Sequence, residues 1–445
     1  MKNARQLAVE ALLRVDTADG YSNIVLDRLL QESGLSPRDK AFASALFYGV
    51  LEKKLTLDHV IAQYAAKALG KMDPLVRQLL RIGVYQSACM DSVPDSAAVN
   101  ESVELCKKMG KGRASGFVNG VLRSFLRDGG KIVLPEPGKD KAGWLSLCYS
   151  IPRPLVKLWQ NQYKKDGLQP LLEGMTQKAP MYARVNNTKI TAEELVKRLS
   201  EEGVTASCHP QFANCILLEN AGALESLPSF TEGLFHIQDL ASQLAACALS
   251  AQAGMDVLDL CAAPGGKSFT LAEEMDGQGR VVSCDLYEKK AKLIAQGAAR
   301  LKLSNITAQQ NDATVYNENF GQFDRVLCDA PCSGLGIIRR KPEIRYKNLE
   351  ELRALPDIQY KILDTAAKYV KEQGLLLYST CTLNRHENDY VREKFLQEHP
   401  DFTAEVFPKN VLDYLGEEAL TEITLMPHKH GTDGFYFALF CRNNR

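Results

Sequence analysis

The sequence predicts a multidomain chain: an all-α N-terminal region, a small α+β segment, and a C-terminal domain of doubly wound α/β type. Three observations predict this. Apolar residues recur at helical spacing through residues 1–130, without β-like alternation. A short stretch within 180–234 alternates like strands around one amphipathic helix. From 235 to 445, short apolar runs alternate with helical stripes. A chain of 445 residues is also too long for one ordinary core.

The N-terminal region begins with Ala4, Leu7, Ala8, Ala11, Leu12 and Val15 on one helical face. Similar stripes fall in 24–30, 41–50, 57–69, 74–88, 97–109 and 117–126, punctuated by Gly20, Gly34, Gly70, Pro94 and Gly110. Lys107, Lys108, Lys111 and Arg113 crowd one stretch, either as a solvated basic helix end or as a phosphate-contacting surface. Residues 131–179 read as a connector with a turn at Pro135–Gly138 and short helices near Trp144 and Trp159. In 180–234, Met181–Asn186 and Cys215–Leu218 read as strands. Thr191–Glu202 reads as an amphipathic helix with Thr191 as N-cap.

The C-terminal domain is organised around Asp256–Lys267. Val257–Cys261 reads as a buried parallel strand, Pro264-Gly265-Gly266 as a turn, and the pattern from Lys267 onward as a helix. Glycines there let the backbone approach a ligand, and the helix start offers unpaired N–H groups. The dinucleotide fingerprint Gly-x-Gly-x-x-Gly is absent, which argues against a bound pyrophosphate. Asp285 ends the next strand, about 20 residues beyond the glycines, where an acid takes ribose hydroxyls. The pocket should therefore hold an adenosine-like ligand without pyrophosphate, and S-adenosylmethionine fits. Asp312, after the strand Ile306–Gln309, would accept the adenine amine or cap a turn.

Two further strands deliver Asp329-Ala-Pro-Cys332 and Ser379-Thr-Cys381-Thr382. Cys261, Cys284 and Cys328 read as small buried hydrophobes. Cys332 and Cys381 differ, because both lie just past strand ends on the ligand side of one sheet. Carbon 5 of cytosine supplies a reason for the pair. It is a poor nucleophile until a thiolate adds to carbon 6 and converts the ring to an enamine. A carboxylate near ring nitrogen 3, such as Asp329, stabilises the charge that develops. The base must be single-stranded or flipped out. Chemistry alone does not say which cysteine attacks. After this loop, 337–347 carry Arg339, Arg340, Lys341 and Arg345, read as a clamp on RNA phosphates rather than as a solvated loop.

Composition bounds the rest. The 12 cysteines form no Cys-x-x-Cys pair, so neither a zinc site nor a disulfide scaffold is expected, and free thiols fit a reducing cytoplasm. No metal is expected. No apolar run reaches membrane-spanning length, and the first six residues lack a signal-peptide core. Formal net charge is +0, so RNA contact must come from local patches. A cytoplasmic monomer is expected.

Resemblances sharpen these readings. Asp39–Gly49, Ala97–Glu104 and Phe117–Arg123 are similar to the RNA-binding helical bundle of NusB. Residues 180–234 resemble the small RNA-binding subdomain that precedes the catalytic domain in RNA cytosine methyltransferases, which implies that Arg184, Asn186 and Asn187 touch RNA unless they only form a turn. Residues 235–445 resemble RNA 5-methylcytosine methyltransferases through Asp259-Leu-Cys-Ala-Ala-Pro-Gly-Gly-Lys267, Asp329-Ala-Pro-Cys332 and Ser379-Thr-Cys381, in that order. With the helical N-terminus, the chain resembles the RsmB (Fmu/Sun) family. The resemblance implies a Rossmann-like class I methyltransferase domain acting on small-subunit (16S) ribosomal RNA. It implies that Cys381 is the nucleophile, that Cys332 aids product release, and that Asp329 contacts both the cytosine and the methionine end of the cofactor. It implies that Cys261, Ala262, Ala263, Pro264, Gly265, Gly266, Lys267, Asp285 and Asp312 bind S-adenosylmethionine. An RNA-binding assembly factor without chemistry and a nucleotide-dependent oxidoreductase are the alternatives from other classes.

Overall fold

Among the described residues, seven α-helices build the N-terminal bundle of this computed structural model: α1 (Ala4–Thr17), α2 (Ser22–Gln31), α3 (Pro37–Glu52), α4 (Lys54–Tyr64), α5 (Pro74–Cys89), α6 (Asp95–Cys106) and α7 (Ser115–Arg127). The structure describes residues 3–17, 22–164, 167–219, 222 and 224–444; Met1, Lys2 and Gly20, read above from sequence, lie outside them. α3 and α5 start with proline at the first helical position, behind Ser36 and Asp73, whose side chains accept backbone N–H groups. Leu7, Leu12, Phe47, Leu79, Val121 and Phe125 belong to their common core. Two stripes end earlier than expected. α4 stops at Tyr64, and Leu69 falls in a separate 3-10 turn. α6 stops at Cys106 because Gly110, at φ +83°, breaks the helix.

The chain divides into two units, Met1–Thr176 with Ile338–Leu349, and Gln177–Ile337 with Glu350–Arg445. The first unit therefore takes in most of the connector, as α8 (Lys141–Tyr149), α9 (Arg153–Gln162) and α10 (Leu168–Gly174). It also takes in the basic segment after the Pro-Cys loop. Glu343 accepts from the Ser22 backbone N–H at 3.0 Å and the Ser22 hydroxyl at 2.7 Å, at the start of α2. Arg345 donates to the carbonyls of Glu52 (3.1 Å), Ser150 (3.3 Å) and Ile338 (3.2 Å). Tyr346 donates to the carbonyl of Leu51 at 2.9 Å. An acid thus sits at a helix start and a guanidinium at two helix ends, matching both dipoles.

The second unit opens with a four-stranded antiparallel sheet of β1 (Met181–Val185), β2 (Thr205–Cys208), β3 (Cys215–Glu219) and β4 (Phe235–Ile237), in the order β2-β3-β1-β4. The helix α11 (Ala192–Glu201) starts in a capping box between Thr191 and Glu194, as its sequence predicts. Two strands differ from expectation. β2 was not legible, and Phe235–Ile237, assigned from sequence to the C-terminal domain, is an edge of this small sheet. After a short α12 (Pro228–Thr231), the larger part comprises α13 (Leu240–Ala248), β5 (Asp256–Asp259), α14 (Gly266–Glu274), β6 (Arg280–Asp285), α15 (Glu288–Leu301), β7 (Ile306–Gln310), β8 (Phe323–Asp329), α16 (Leu355–Ala367), β9 (Val370–Thr380), α17 (Asp389–Glu398), β10 (Phe402–Ala404), α18 (Lys409–Leu415), β11 (Glu422–Leu425), α19 (Pro427–His430) and β12 (Phe435–Arg442). Its sheet runs β10-β12-β9-β8-β5-β6-β7, with β11 on β12. β9, β8, β5, β6 and β7 are mutually parallel, and β12 is antiparallel to β9.

A buried ion pair joins the small sheet to α14. Arg184 is 1% exposed and faces Glu273 at 3.6 Å, and it also pairs with Glu274. It is neither an RNA contact nor a turn residue. His236 lies 3.4 Å from Glu273. Removing the arginine leaves a fully buried carboxylate without its cation. Arg184→Ala should lower unfolding stability by about 3 kcal/mol or more, whereas Arg198→Ala, in half-exposed pairs on α11, should cost about 1 kcal/mol or less. Urea unfolding of both variants tests this, and equal losses would refute it.

Candidate active site

The parallel strands end on one side of the sheet, and the chain leaves each end carrying polar side chains. β5 passes into the glycine turn. There Ala262 N–H donates to Cys284 O at 2.7 Å, and Gly265 N–H donates to Ala262 O at 2.7 Å. Gly265 has φ +114°, and a Cβ there would lie 2.4 Å from the Phe269 ring, so the position requires glycine. No side chain caps the start of α14, which leaves its first N–H groups available to a ligand. Cys261, Ala262, Ala263, Pro264, Gly265, Gly266 and Lys267 therefore share one turn.

Lys267 is the charged centre of this turn. Its Nζ donates to Asp329 Oδ2 at 2.7 Å and lies 5.0 Å from the centre of the Phe435 ring. Burial would lower its pKa, but Asp329, Asp259 and Cys381 together raise it, so the ammonium stays charged. Asp329 Oδ1 accepts from the Ser379 hydroxyl at 2.7 Å. One carboxylate thus ties the ends of β8 and β9 to the glycine turn. Beneath it, Asp259 is wholly buried and accepts from Ser268 at 2.7 Å, while Ser268 accepts from Ser283 at 2.8 Å. Burial pushes the Asp259 carboxyl up to about 7.

Asp285 closes β6, 7% exposed. It accepts from the Tyr287 N–H at 3.1 Å and lies 3.7 Å from Lys290. Asp312 is exposed, and the Thr314 N–H (2.9 Å) and hydroxyl (2.8 Å) hold its carboxyl below the usual range. It lines a concavity of about 480 Å³ with Asn311, Val315 and Tyr316. Leu286 and Tyr287, next to Asp285, and Val315 and Tyr316, near Asp312, are exposed although apolar. The sequence reading missed these four. Their signal was adjacency to the two acids.

The two sulfurs meet. Cys332 Sγ and Cys381 Sγ are 3.1 Å apart. Their loops are stitched together by Gly336 N–H to Cys381 O at 3.0 Å, Gly434 N–H to Gly336 O at 2.9 Å, and Ser333 Oγ to Thr382 Oγ1 at 2.7 Å. A Cβ on Gly336 would stand 1.9 Å from Gly434 O, so only glycine permits this approach. The hydrogen bond shared with Cys381, followed by burial, holds the Cys332 thiol well above its ordinary pKa. Cys284 and Cys328 are fully buried and Cys261 half-buried, with burial raising all three thiols.

The basic residues divide. Lys107, Lys108, Lys111 and Arg113 are exposed at the break after α6, with Lys107 paired to Glu104 and Lys111 to Asp73. Arg339, Arg340 and Lys341 are half-buried. Arg345 corrects the sequence reading. It is 2% exposed and bonded to carbonyls, so it belongs to the core of the helical unit and not to an RNA clamp. A run of positive charge does not reveal which member is buried.

A parallel sheet closed by an antiparallel strand, with a glycine turn after its β5 strand and acids at the following strand ends, defines a methyltransferase-type α/β domain. Family models agree: the 16S rRNA methyltransferase RsmB/F model matches residues 246–441, the NusB family 2–127, and the ferredoxin-like domain of RsmF/B-like methyltransferases 151–225. The chain is 37% identical to a probable ribosomal RNA small subunit methyltransferase B of Bacillus subtilis (strain 168), over 98% of this chain and 97% of that one. It is 33% identical to ribosomal RNA small subunit methyltransferase B of Vibrio cholerae, over 99% and 98%. The solved structure of PH0851 shares the fold at TM-score 0.81, with 23% identity over 98% of both chains. NSun6 from Pyrococcus horikoshii does so at TM-score 0.58, with 20% identity over 66% of this chain and 99% of that one. The protein belongs to the RsmB/F family of 16S rRNA methyltransferases.

The raised pKa of Asp259 has a consequence for the ligand-free protein. Between about pH 4 and 7 the folded state keeps a proton that the unfolded state has released, so stability falls as pH rises through that window. Asp259→Asn should lose less stability than wild type between pH 5 and 8, by roughly a few kcal/mol. Urea midpoints at the two pH values check this, and parallel losses would contradict it.

Proposed function

We infer that the protein transfers a methyl group from S-adenosylmethionine to carbon 5 of a cytosine in small-subunit (16S) ribosomal RNA, through a covalent cysteine–cytosine intermediate. The observation that carries this reading is the Cys332–Cys381 pair, 3.1 Å apart beside the Asp329–Lys267 ion pair. The ring must be attacked before it can be methylated, and must be released afterwards. Two thiols in one place suit those two needs.

The residues present fit the cofactor. The uncapped start of α14 and the glycine turn would receive its methionine end, with Lys267 and Asp329 close by. Asp285 would take the ribose hydroxyls, and Asp312 the adenine amine. Leu286, Tyr287, Val315 and Tyr316 offer apolar faces to the adenine ring. When bound, S-adenosylmethionine supplies an electrophilic methyl group.

Cys381 adds to carbon 6 of the cytosine. The family resemblance assigns it this role, and the positive charge of Lys267, which acts on Cys381, favours its thiolate. Thiolate addition places negative charge on the ring, so nitrogen 3 takes up a proton, and the Asp329 carboxylate holds that N–H by accepting from it. Loss of the carbon 5 proton to water or another base then re-forms the 5,6 double bond and expels the Cys381 thiolate, and Cys332 aids this release of the product.

RNA is held through Lys107, Lys108, Lys111 and Arg113 on the helical bundle, with Arg339, Arg340 and Lys341 nearer the Pro-Cys loop in sequence. The exposed pairs of Lys107 and Lys111 exchange readily for phosphate. Among the described residues no helix is long and apolar enough to cross a membrane, and no acid, thiol and imidazole cluster could hold a metal. The protein acts as a cytoplasmic monomer.

Cys381→Ala should reduce methylation of undermethylated small-subunit RNA by about a thousandfold or more while leaving cofactor affinity intact. Turnover near the wild-type rate would remove the assignment. Cys332→Ser should accumulate a denaturant-resistant protein–RNA adduct that the wild type clears, and its absence would overturn the division of roles.

A further inference from the structure

The loop that carries Cys381 continues into a buried acid with no part in the chemistry above. Glu387 lies between β9 and α17 and is 0% exposed. Its Oε2 accepts from the Ser333 N–H at 2.8 Å and from Gln359 Nε2 at 2.9 Å. Its Oε1 accepts from Asn384 Nδ2 at 3.0 Å. Gln359 Nε2 also donates to Pro331 O at 3.0 Å. The main chain is therefore gripped on both sides of Cys332, before it through Gln359 and after it directly. At the other end, the Tyr378 hydroxyl donates to Glu387 O at 2.6 Å, fixing the acid to the strand that delivers Cys381. The adjacent Asn388 accepts from Thr380 Oγ1 at 2.6 Å and donates to Thr382 O at 3.0 Å, bracketing Cys381 in the same way.

Burying a carboxylate is costly unless donors surround it. Here the donors are all uncharged, and each belongs to a different segment: the Pro-Cys loop, α16 and the Thr-Cys loop. Among the described residues no basic side chain forms an ion pair with Glu387. A hydrophobic side chain would fill the space at less cost, but it would not bind the N–H of Ser333. Stability alone does not account for the choice of residue.

We propose that Glu387 is a positioning residue that fixes the separation of the Cys332 and Cys381 sulfurs by clamping the two cysteine loops to each other. Its oxygens accept from both sides of the gap, so the distance between the thiols follows from the size of one carboxylate. The geometric statement stands by itself, and its catalytic consequence rests on the two-thiol reading. Glutamine is nearly the same size, but it replaces one acceptor oxygen with a donor that must face either the donors of Ser333 and Gln359 or that of Asn384.

The test uses the full-length protein. Diamide removes two electrons and two protons from a thiol pair to form a disulfide, and peptide mapping follows the Cys332–Cys381 link. In Glu387→Gln that link should form at least about tenfold more slowly than in wild type, and in Gln359→Ala more slowly by a smaller factor, because a misplacement near 1 Å changes rates by up to about a hundredfold. S-adenosylmethionine affinity should stay within about twofold in both. On undermethylated small-subunit RNA, kcat should fall about tenfold or more with little change in KM. An unchanged cross-linking rate in folded Glu387→Gln overturns the proposal. Where that variant does not fold, Gln359→Ala decides by the same criterion. Cross-linking reports thiol geometry alone, whereas a missing adduct in Cys332→Ser removes the catalytic reading, so the two failures are distinguishable.

Discussion

The carboxylate of Asp329 is the contact on which the site depends. It receives Lys267 from the glycine turn and Ser379 from the neighbouring strand, each at 2.7 Å. β5, β8 and β9 are already in register through the sheet, but register alone does not aim the loops that follow them. The ion pair does. It fixes a positive charge where Cys381 feels it. A single group thus orders the glycine turn and the ends of β8 and β9 together, with buried Asp259 beneath them.

Much of this was legible because the residues are contiguous in sequence. The glycine turn and the acids at strand ends fall where short apolar runs stop, and a parallel sheet brings such ends to one edge. The pairing of Cys332 with Cys381 followed from the same geometry. Other features were hidden, each for a physical reason. Arg345 lies among basic residues and has the same local pattern as they do, yet its neighbours come from Glu52 and Ser150, which no local pattern foretells. Arg184 sits on a strand that alternates as a surface strand would, and it is buried by a helix about ninety positions away. Phe235–Ile237 precedes the larger sheet in sequence but pairs with β1, because edge pairing is settled by register across space.

Glu387 belongs with these hidden features, in a stretch of Asn, Arg and His that reads as an ordinary polar loop. Polar residues just past a strand end are easily taken for solvent-facing. Here Asn384, Glu387 and Asn388 are all buried, and together they form an internal scaffold for backbone that cannot pair within the sheet. Polar loops can therefore be as well ordered as a core when their donors and acceptors are matched.

The strap formed by Ile338–Leu349 has a consequence for biosynthesis. A ribosome releases the N-terminal bundle long before it reaches Glu343 and Arg345, so during that interval α2 lacks the acid at its start, and α3 and α8 lack the guanidinium at their ends. The bundle must wait in a provisional form until most of the chain has been translated. Completion of the first unit to begin synthesis is thus linked to emergence of the loop that follows Cys332, so a truncated polypeptide ending before residue 343 would carry a bundle with unfinished helix ends.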